Sequence, residues 1–513
     1  MERLVMTSFK QFSNKFINLF VLLIIIAIII TNFSNVISHY FIECVILMIT
    51  ILAFIAMLYY SAKFFQKQTN KFNQRLCWFN VGLVAILALA IVTIFKVKTP
   101  IWGAKVCLTA AQQLVQHHFN WHGVDYCYQS YLFNFYPNNL GLTYFEVIVI
   151  TILNFLHIHL TTTNLYFLFT LINVFFLLSS MILIIKILKH HFKPYLNTFF
   201  TWLMVINIPI LMMLFWFYTD YFALFTTTLL LYEYQQLLLQ IDFKHQIPYF
   251  IILGVTAWFG TLFKVTVLIV LIAIFIHYIF TNWHLKNISG LVITILTVFS
   301  LSTVTHIYEQ KVNPYPKNVN MGLPLSHWPL MALHSPALYD QQSVNETVLL
   351  KQKYSNKQIT KMQLHQELTD IKHHPQLLSK MILTKLSYTY GNGTYDILSW
   401  INNPTVTFIH KNNSIFKLAK KIINYHYCYL FYCTVLLFTD YLLIAFGTIA
   451  DYRKSFNFTS IFKLSFIGLF IFLMIWESHS RYLLQFSLIN LYLVCASVNH
   501  LLFSHQNNLI NNK

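Results

Sequence analysis

Long apolar stretches separated by short polar ones dominate the pattern of side chains along this chain. Most of these stretches approach about 20 residues, the length that an α-helix needs to cross the hydrocarbon core of a bilayer. The pattern therefore predicts an all-α polytopic membrane protein with about 11–13 transmembrane helices. The candidate spans are residues 16–34, 41–60, 78–96, 142–160, 164–186, 196–217, 221–240, 248–263, 265–281, 288–306, 424–448, 459–476 and 482–503.

The composition supports this class and excludes others. Of the 513 residues, 57% are hydrophobic and only 10% are charged, whereas a soluble domain carries roughly 25% charged residues. The same hydrophobic content excludes a disordered chain. The formal net charge of +18 would suit a nucleic-acid-binding protein. We interpret the lysines instead as markers of cytoplasmic membrane edges and solvated loops, and we expect no nucleic-acid partner.

Clusters of basic residues predict the orientation of a multi-pass protein in the cell membrane. Lys and Arg collect in the N-terminal tail, in residues 63–75 and 186–193, and at Arg453–Lys454. The positive-inside rule places all of these clusters in the cytoplasm. The loops 97–141 and 307–422 then face outward, and the N-terminus and the C-terminus are both expected to be cytoplasmic.

One part of this topology is in conflict with the charge rule. Two complete crossings at 142–160 and 164–186 would place the basic residues 186–193 outside the cell. Either one of the two segments does not cross fully, or the rule is broken once.

The chain divides into four regions by composition. Residues 307–422 are richer in Lys, His, Gln, Asn and Pro than the rest. Apolar residues at helical spacing within this region predict a small helical extracytoplasmic insertion rather than a linker. The predicted regions are 1–77, with two transmembrane helices and a cytoplasmic loop; 78–306, the main transmembrane core; 307–422, the insertion; and 423–513, the C-terminal transmembrane helices.

A few charged residues lie within predicted spans or at their predicted outer ends. Burying a charge there costs free energy, so such residues are candidates for a functional role. Glu146 and Asp220 would both face an outer cavity. Lys264 could bind a phosphate, or it could form an ion pair with Asp220 or Glu146 that holds helices together. Arg481 has the planar fork that suits a phosphate or carboxylate, with a local pair to Glu477 as the alternative.

The first predicted outer loop, 97–141, combines aromatic rings with imidazoles and one carboxylate, a composition similar to that of a carbohydrate-binding surface. Asp125 is its only acidic residue and so its candidate general base. Alternatively, the loop packs on its own aromatic residues and Asp125 is merely solvated. The other candidate sugar-binding residues of this loop are Trp102, Trp121, His122, Tyr136, Asn138 and Asn139.

Several short motifs follow one another in an order typical of one group of membrane enzymes. They occur between about residues 78 and 503, and the first two predicted spans precede them. The motifs are Tyr136-Pro137-Asn138-Asn139, Tyr218-Thr219-Asp220, Phe263-Lys264-Val265-Thr266, His327-Trp328-Pro329-Leu330-Met331 with Tyr339-Asp340, Tyr390-Gly391-Asn392-Gly393-Thr394-Tyr395, and Glu477 with Arg481-Tyr482-Leu483.

In this layout the chain resembles the GT-C superfamily of glycosyltransferases that use polyprenyl-phosphate sugars, especially the bacterial family 39-like, mannosyltransferase-like proteins. The resemblance implies an inverting sugar transfer on the outer face, with a carboxylate base in the first outer loop and cations on the lipid phosphate. The acceptor would be a cell-surface polysaccharide, teichoic acid or protein. The expected partners are thus a polyprenyl-phosphate sugar, a cell-surface glycan or protein, and membrane lipid.

The resemblance also implies roles for individual residues. Asp125 and Asp220 are the expected catalytic residues, and Lys264, Arg481 and Tyr482 are expected to bind the donor phosphate. The lipid-linked sugar donor is the expected ligand. A divalent metal is the open alternative, with His117-His118-x-x-x-His122 as its candidate site, but no carboxylate pattern supports it. The expected substrate-binding residues are Trp102, Trp121, His122, Tyr136, Asn138, Asn139, Glu146, His327, Trp328 and Glu477.

The sequence departs from the family pattern at the start of the first outer loop. Relatives usually carry an acidic residue there, but Thr99–Ala104 contains none. Either Asp125 substitutes for it, or the chain is a non-catalytic partner or glycolipid-binding protein of the same fold. A polysaccharide polymerase or flippase is a third alternative, since these proteins also combine many spans with outer loops.

Overall fold

Helices build almost the whole structure. The computed structural model describes residues 2–37, 41–281, 285–315, 321–335 and 339–511, and 81% of it is helical, which confirms the predicted all-α class. The first half contains α1 (Glu2–Ile37), α2 (Phe41–Lys67), α3 (Asn70–Ile94), β1 (Val97–Thr99), α4 (Trp102–Gln116), α5 (Tyr126–Ser130), α6 (Leu140–Phe155), α7 (Thr162–His191), α8 (Tyr195–Ile206), α9 (Ile208–Met212), α10 (Asp220–Leu238) and α11 (Phe243–Thr261). The second half contains α12 (Val267–Thr281), α13 (Leu285–Val312), α14 (His327–His334), α15 (Gln341–Lys351), α16 (Asn356–His373), α17 (Gln376–Thr384), α18 (Ile397–Ile401), β2 (Thr407–Phe408), α19 (Ser414–Asn424), α20 (Cys428–Ala450), α21 (Thr459–Ile475) and α22 (Ser487–Asn511).

The described residues contain 8 helices that are long and apolar enough to cross a membrane, which defines a multi-pass membrane protein but is fewer than the 11–13 transmembrane helices that the sequence predicts. The pair α8 and α9, extended to Phe215 and bent by 59°, forms a ninth span if it is counted as one broken helix. The shorter helices α12 and α21 are also apolar, whereas α10 and α11 have 19 residues each but are less apolar. The 8 spans are Phe9–Ser34, Ile42–Lys67, Asn70–Ile94, Pro137–Phe155, Thr162–His191, Ile288–Val312, Cys428–Ala450 and Ser480–Phe503.

At one end of the helix bundle lie the end of α3, the start of α10 and the turn between α11 and α12. This end is called the site end below. Phe95, directly after α3, stacks on Phe215 ahead of α10, with ring centroids 5.5 Å apart. Lys264, in the turn after α11, pairs with Asp220 at the start of α10. The strands β1 and β2 pair antiparallel at this end. They join the loop that follows α3 to the segment that precedes α19.

The position of α6 accounts for the conflict in the predicted topology. At its first turn, Gly141 lies directly against the backbone of Leu262, two residues before Lys264. Soon after its last turn the chain enters α7, where the Thr163 hydroxyl donates a hydrogen bond to the carbonyl of Lys98 (2.8 Å). The path from the start of α6 to the start of α7 therefore begins and ends at the site end, so α6 and the link that follows it make no net crossing of the bundle. The basic end of α7 then lies opposite the first loop.

The beginning of α1 and the end of α22 lie together at the end of the bundle opposite the site end. Lys10 donates a hydrogen bond to the carbonyl of Thr281 at the end of α12 (3.3 Å), and Asn14 donates one to the carbonyl of Asp451 after α20 (2.9 Å). His500 of α22 contacts Lys454 in the same region (2.9 Å). Met1 and residues 512–513 lie outside the described residues. The first part of α1 and the last part of α22 thus lie at the end of the bundle that carries most of the basic clusters.

The helices α14 to α19, from His327 to Asn424, lie where the sequence predicts a helical insertion over 307–422, and residues 307–312 still belong to α13. Ala332, Leu333 and Met381 form a small apolar core of its own. Lys351 of α15 donates a hydrogen bond to the carbonyl of Asn134 in the first loop (2.8 Å). The insertion is therefore docked on the first loop at the site end, while the predicted division into four regions stays a prediction.

Candidate functional site

Three charged side chains from separate segments meet at the site end and are called the ion cluster. Asp220 is the first residue of α10, where the helix dipole favours a carboxylate. The Nζ of Lys264 lies 2.7 Å from Asp220 Oδ1. Arg481 belongs to the 3-10 helix Ser480–Phe486 before α22, and its Nε lies 3.6 Å from Asp220 Oδ2. The ion pair between Lys264 and Asp220 confirms an alternative that the sequence left open.

The ion cluster has two cations for one carboxylate in a nearly dry environment. The side chains of Asp220, Lys264 and Arg481 are 4%, 14% and 16% exposed. The Nε of Arg481 is buried and has no hydrogen-bond partner among the described residues. The charges of Asp396 and Glu477 also act on Arg481 and Lys264, respectively, and the backbone N–H of Arg481 donates a hydrogen bond to Asp396 (3.4 Å). The N–H at Arg481 Nε nevertheless remains available as a donor to an oxygen atom of a further anion.

Aromatic rings surround the two cations. The guanidinium carbon of Arg481 lies 5.4 Å from the ring centroid of Tyr218, 5.6 Å from that of Trp400 and 5.7 Å from that of Tyr482. The ammonium of Lys264 lies 4.7 Å from the centroid of Tyr482. Ring faces attract cations within about 6 Å. These contacts hold the cations in place without neutralising their charge.

A second group, called the His479 cluster, consists of His479 with Asp396 and Glu477. The imidazole lies between the two carboxylates, with Nδ1 3.4 Å from Asp396 Oδ2 and Nε2 3.4 Å from Glu477 Oε1. Tyr482 donates a hydrogen bond to Glu477 Oε2 (3.1 Å). Because Tyr482 also faces both cations of the ion cluster, it links the two clusters.

Burial affects the two carboxylates of the His479 cluster differently. Burial raises the pKa of Glu477 from its ordinary value, against the opposing effects of His479 and the hydrogen bond from Tyr482. Burial also acts to raise the pKa of Asp396, but His479 and the hydrogen bond that Tyr388 donates to Asp396 (3.0 Å) act against it, and that pKa is lowered overall. Glu477 is therefore the better proton acceptor of the two.

Lys385 holds the segment that carries Glu477 and His479. It lies in the π-helical turn Lys385–Thr389 and donates hydrogen bonds to the carbonyls of Met474 (2.9 Å) and Trp476 (2.7 Å). These carbonyls end α21, where a cation is favourable. Burial lowers the pKa of Lys385 to about 8, and nearby Glu477 acts in the opposite direction.

A row of aromatic side chains, called the aromatic wall, continues away from the two clusters. It consists of Tyr136, Trp328 and Trp476. The ring centroids of Tyr136 and Trp328 are 5.9 Å apart, and those of Trp328 and Trp476 are 6.2 Å apart with the rings nearly parallel. The Tyr136 hydroxyl also lies 3.0 Å from the hydroxyl of Tyr339 in the insertion.

Asn139 connects the first loop to the ion cluster. Its Oδ1 accepts a hydrogen bond from the hydroxyl of Tyr218 (2.7 Å), whose ring faces Arg481. Its Nδ2 donates to the hydroxyl of Tyr131 (3.4 Å). The predicted residues Asn139, Tyr136, Trp328, Asp220, Lys264, Glu477, Arg481 and Tyr482 are thus part of one connected region.

Other predicted residues of the first loop lie apart from the clusters. Gln113 donates a hydrogen bond to the carboxylate of Asp125 (2.6 Å), and Trp121 is buried with its ring against Phe133 (4.8 Å). His122 is exposed, as is the side chain of Asn138. Among the described residues, none of the four predicted residues has a hydrogen bond, ion pair or ring contact with the ion cluster.

Three further predicted residues have other surroundings. Glu146 is 1% exposed in α6 instead of facing an open cavity, and its carboxylate oxygens have no hydrogen-bond partner among the described residues. His327 Nδ1 lies 2.8 Å from the hydroxyl of Thr347. Trp102 is 58% exposed and packs edgewise on Trp400 (4.7 Å), so it touches the region around Arg481 indirectly.

The structure adds residues that sequence reasoning missed. Asp396 directly follows the motif that ends at Tyr395, and His479 lies between the predicted residues Glu477 and Arg481. Both positions could have been found by extending those motifs by one or two residues. Lys385 and Trp400 lie in the insertion, where polar composition suggested solvated residues, and no local signal marked them.

These contacts define a multi-pass membrane protein with a buried, cation-rich site at one end of its bundle. Within the described ranges, no group of three or more His, Cys, Asp or Glu residues could hold a metal ion. No protein-family model matches the chain, and no curated protein is significantly similar to it. Functional inference therefore rests on the geometry and on the residues themselves.

Proposed function

We propose that the protein binds a polyprenyl-phosphate-linked sugar and transfers the sugar to a cell-surface polysaccharide, teichoic acid or protein. The observation that carries this proposal is the convergence of Lys264 and Arg481 around a single carboxylate, Asp220, at the end of an apolar helix bundle. A phosphate on a membrane-embedded lipid would reach this depth without leaving the bilayer.

The chemistry of the two cations suits a phosphate. Lys264 supplies a compact point charge, and the guanidinium of Arg481 supplies several donors in a plane. In the proposed reaction, the leaving phosphate gains negative charge as its bond to the sugar breaks. Cations already held in place by Asp220 and the aromatic rings would stabilise that charge without reorganising. Asp220 is then a positioning residue for both cations, while its predicted catalytic role stays a prediction.

Glu477 is the carboxylate best placed to act as the general base. In the proposed step, a hydroxyl oxygen of the acceptor forms a bond to the anomeric carbon and the carbon–oxygen bond to the phosphate breaks. The electron pair of that bond remains on the phosphate, and the hydroxyl proton passes to Glu477. Attack from the face opposite the phosphate inverts the anomeric centre. Glu477 reaches the ion cluster through Tyr482, whereas Asp125 is bonded to Gln113.

The aromatic wall is a suitable surface for the sugar or the acceptor. Aromatic side chains offer apolar faces for the C–H groups of a sugar ring and polar edges for its hydroxyls. Tyr136 and Trp328 come from the first loop and the insertion, so the two loops would enclose the substrate jointly.

The distribution of charge supports an extracytoplasmic site. Most basic clusters, including residues 186–193 and Arg453–Lys454, lie at the end of the bundle opposite the site end. The positive-inside rule assigns that end to the cytoplasm. The site end, with the first loop and the insertion, would then face outward, and both chain ends would be cytoplasmic.

A non-catalytic glycolipid-binding protein is the second candidate. This candidate is favoured because both predicted catalytic carboxylates already have partners within the protein. Asp220 is paired with two cations, and Asp125 accepts a hydrogen bond from Gln113. Both candidates require the lipid phosphate at the ion cluster. They differ in whether Glu477 accepts a proton.

Binding of farnesyl phosphate to the purified full-length chain tests the feature that both candidates share. We expect the phosphate to bind and to raise the thermal unfolding midpoint, because a ligand that binds only the folded state stabilises it. Farnesol, which has the same chain without the charge, should cause a much smaller shift. Equal shifts with both compounds would show that the chain recognises only the prenyl group, and this would contradict the proposal.

A further inference from the structure

A second feature of the molecule, independent of the proposed transferase site, is the amphipathic helix α19. This helix, Ser414–Asn424, lies just before the span α20, which begins at Cys428. It is separated from that span by only three residues. The helix must therefore lie close to the membrane surface at which α20 begins.

The apolar residues of α19 occupy one continuous side, and only part of that side is used inside the protein. At about 100° per residue, they cover an arc of roughly 160°. Phe416 and Ile423, in one half of the arc, are buried against the bundle. Ile415, Leu418 and Ile422, in the other half, are 59%, 58% and 60% exposed. Three large aliphatic side chains in a row are thus left uncovered beside a membrane span.

Lysines occupy the opposite side of the helix. Lys417, Lys420 and Lys421 lie there, and with Lys411 they line a cleft of about 680 Å³. No acidic residue occurs between Asp396 and Asp440 in the sequence. The lysines therefore form a locally uncompensated positive surface directly above the exposed aliphatic residues.

We propose that α19 lies in the membrane interface and that its lysines bind the phosphates of anionic phospholipids. The exposed aliphatic residues enter the acyl region, while the lysine side chains extend toward the headgroups, as such chains do at interfaces. Tyr425 and Tyr427, 53% and 78% exposed after the helix, are residues typical of the headgroup level. The exposed aliphatic row of α19 would face the acyl chains of the leaflet, and the basic cleft would face its anionic headgroups.

The position of α19 gives this lipid contact a consequence for the fold. Lys420 donates a hydrogen bond to the carbonyl of Ile401, next to Trp400 (3.1 Å). Trp400 in turn faces Arg481 of the ion cluster. Anionic lipid at α19 would thus be bound beside the segment that surrounds the cluster.

Two measurements on the full-length chain test this proposal. The first places an environment-sensitive fluorophore at Leu418→Cys or, as a control, at Lys357→Cys in α16, with the exposed Cys127 and Cys428 replaced by Ser. In liposomes that contain lipids with brominated acyl chains, we expect strong quenching at position 418 and little at 357. Equal or absent quenching at 418 would overturn the interfacial location.

The second measurement compares the affinity for phosphatidylglycerol and phosphatidylcholine by native mass spectrometry of the delipidated chain. We expect the triple variant Lys417→Gln, Lys420→Gln, Lys421→Gln to lose phosphatidylglycerol affinity by roughly tenfold or more. The control triple variant changes the exposed lysines Lys353, Lys357 and Lys361 to Gln and should retain it. Unchanged affinity in the α19 variant, or equal loss in the control, would overturn the phosphate site. Competition by millimolar inorganic phosphate as strong as that by phosphatidylglycerol would overturn the assignment to lipid.

Discussion

Replacing Arg481 by alanine is expected to weaken farnesyl phosphate binding by roughly 30- to 1000-fold, because truncating one partner of a buried charge pair costs about 2–4 kcal/mol. Arg481 lacks a hydrogen-bond partner at Nε and is enclosed by three rings. A bound phosphate would thus depend on it strongly. Isothermal titration of the full-length chain with farnesyl phosphate measures the effect.

Two further variants separate loss of binding from loss of folding. Arg481→Lys keeps the charge but loses the planar fork, so it should fold and bind with intermediate affinity. Arg453→Ala removes an exposed arginine after α20, at the opposite end of the bundle, and should bind like the unmodified chain. If Arg481→Ala folds and binds farnesyl phosphate normally, Arg481 has no part in the phosphate site.

Replacing Glu477 by glutamine is expected to reduce turnover by roughly 10²- to 10⁴-fold, the usual contribution of a general base. The variant retains the shape of the side chain and can still accept the hydrogen bond from Tyr482. Binding of farnesyl phosphate should therefore change little. The assay measures release of farnesyl phosphate from a panel of farnesyl-phosphate-linked hexoses, with water or added glycan as the acceptor.

The pH dependence of the same assay gives a second test of Glu477. A general base works only when it is deprotonated, so the rate should fall as the pH is lowered through the pKa of Glu477. Because burial raises that pKa, the fall should occur above the ordinary carboxyl value of about 4.3. The fall should disappear in Glu477→Gln.

Two other carboxylates serve as comparisons for Glu477. Glu346→Gln changes an exposed residue of α15 and should leave turnover unchanged. Asp125→Asn tests the base predicted from the sequence, and we expect less than a tenfold loss because Asp125 lies apart from the ion cluster. Full turnover in Glu477→Gln with loss in Asp125→Asn would assign the base to the first loop. No turnover in the unmodified chain, together with normal farnesyl phosphate binding, would favour the non-catalytic protein.

The helical class could be predicted from the sequence because hydrophobic length is a local property. Each predicted span coincides at least in part with a helix, since a chain in lipid must satisfy its backbone hydrogen bonds within the segment. The path of α6 could not be predicted in the same way. Its composition is that of a span, and only the contacts at Gly141 and at the start of α7 reveal that the chain returns to the site end after α6.

The candidate site was predictable in part for a physical reason. Charged residues are rare in apolar segments, so the sequence alone marked Asp220, Lys264 and Arg481 as candidate site residues. Which of these charged residues contact one another depends on which helix ends lie together, and the tertiary structure determines that. Lys385 therefore escaped prediction, because it lies in a polar insertion where charged residues are ordinary.

Photolabelling tests most directly whether the ion cluster is the phosphate site. The full-length chain would be labelled with a diazirine derivative of farnesyl phosphate, and the labelled peptides identified by mass spectrometry. We expect label in 216–222, 262–266 and 476–486, suppressed by excess farnesyl phosphate but not by farnesol. Label confined to other segments, including α19, or insensitive to farnesyl phosphate would contradict a lipid phosphate at Lys264 and Arg481.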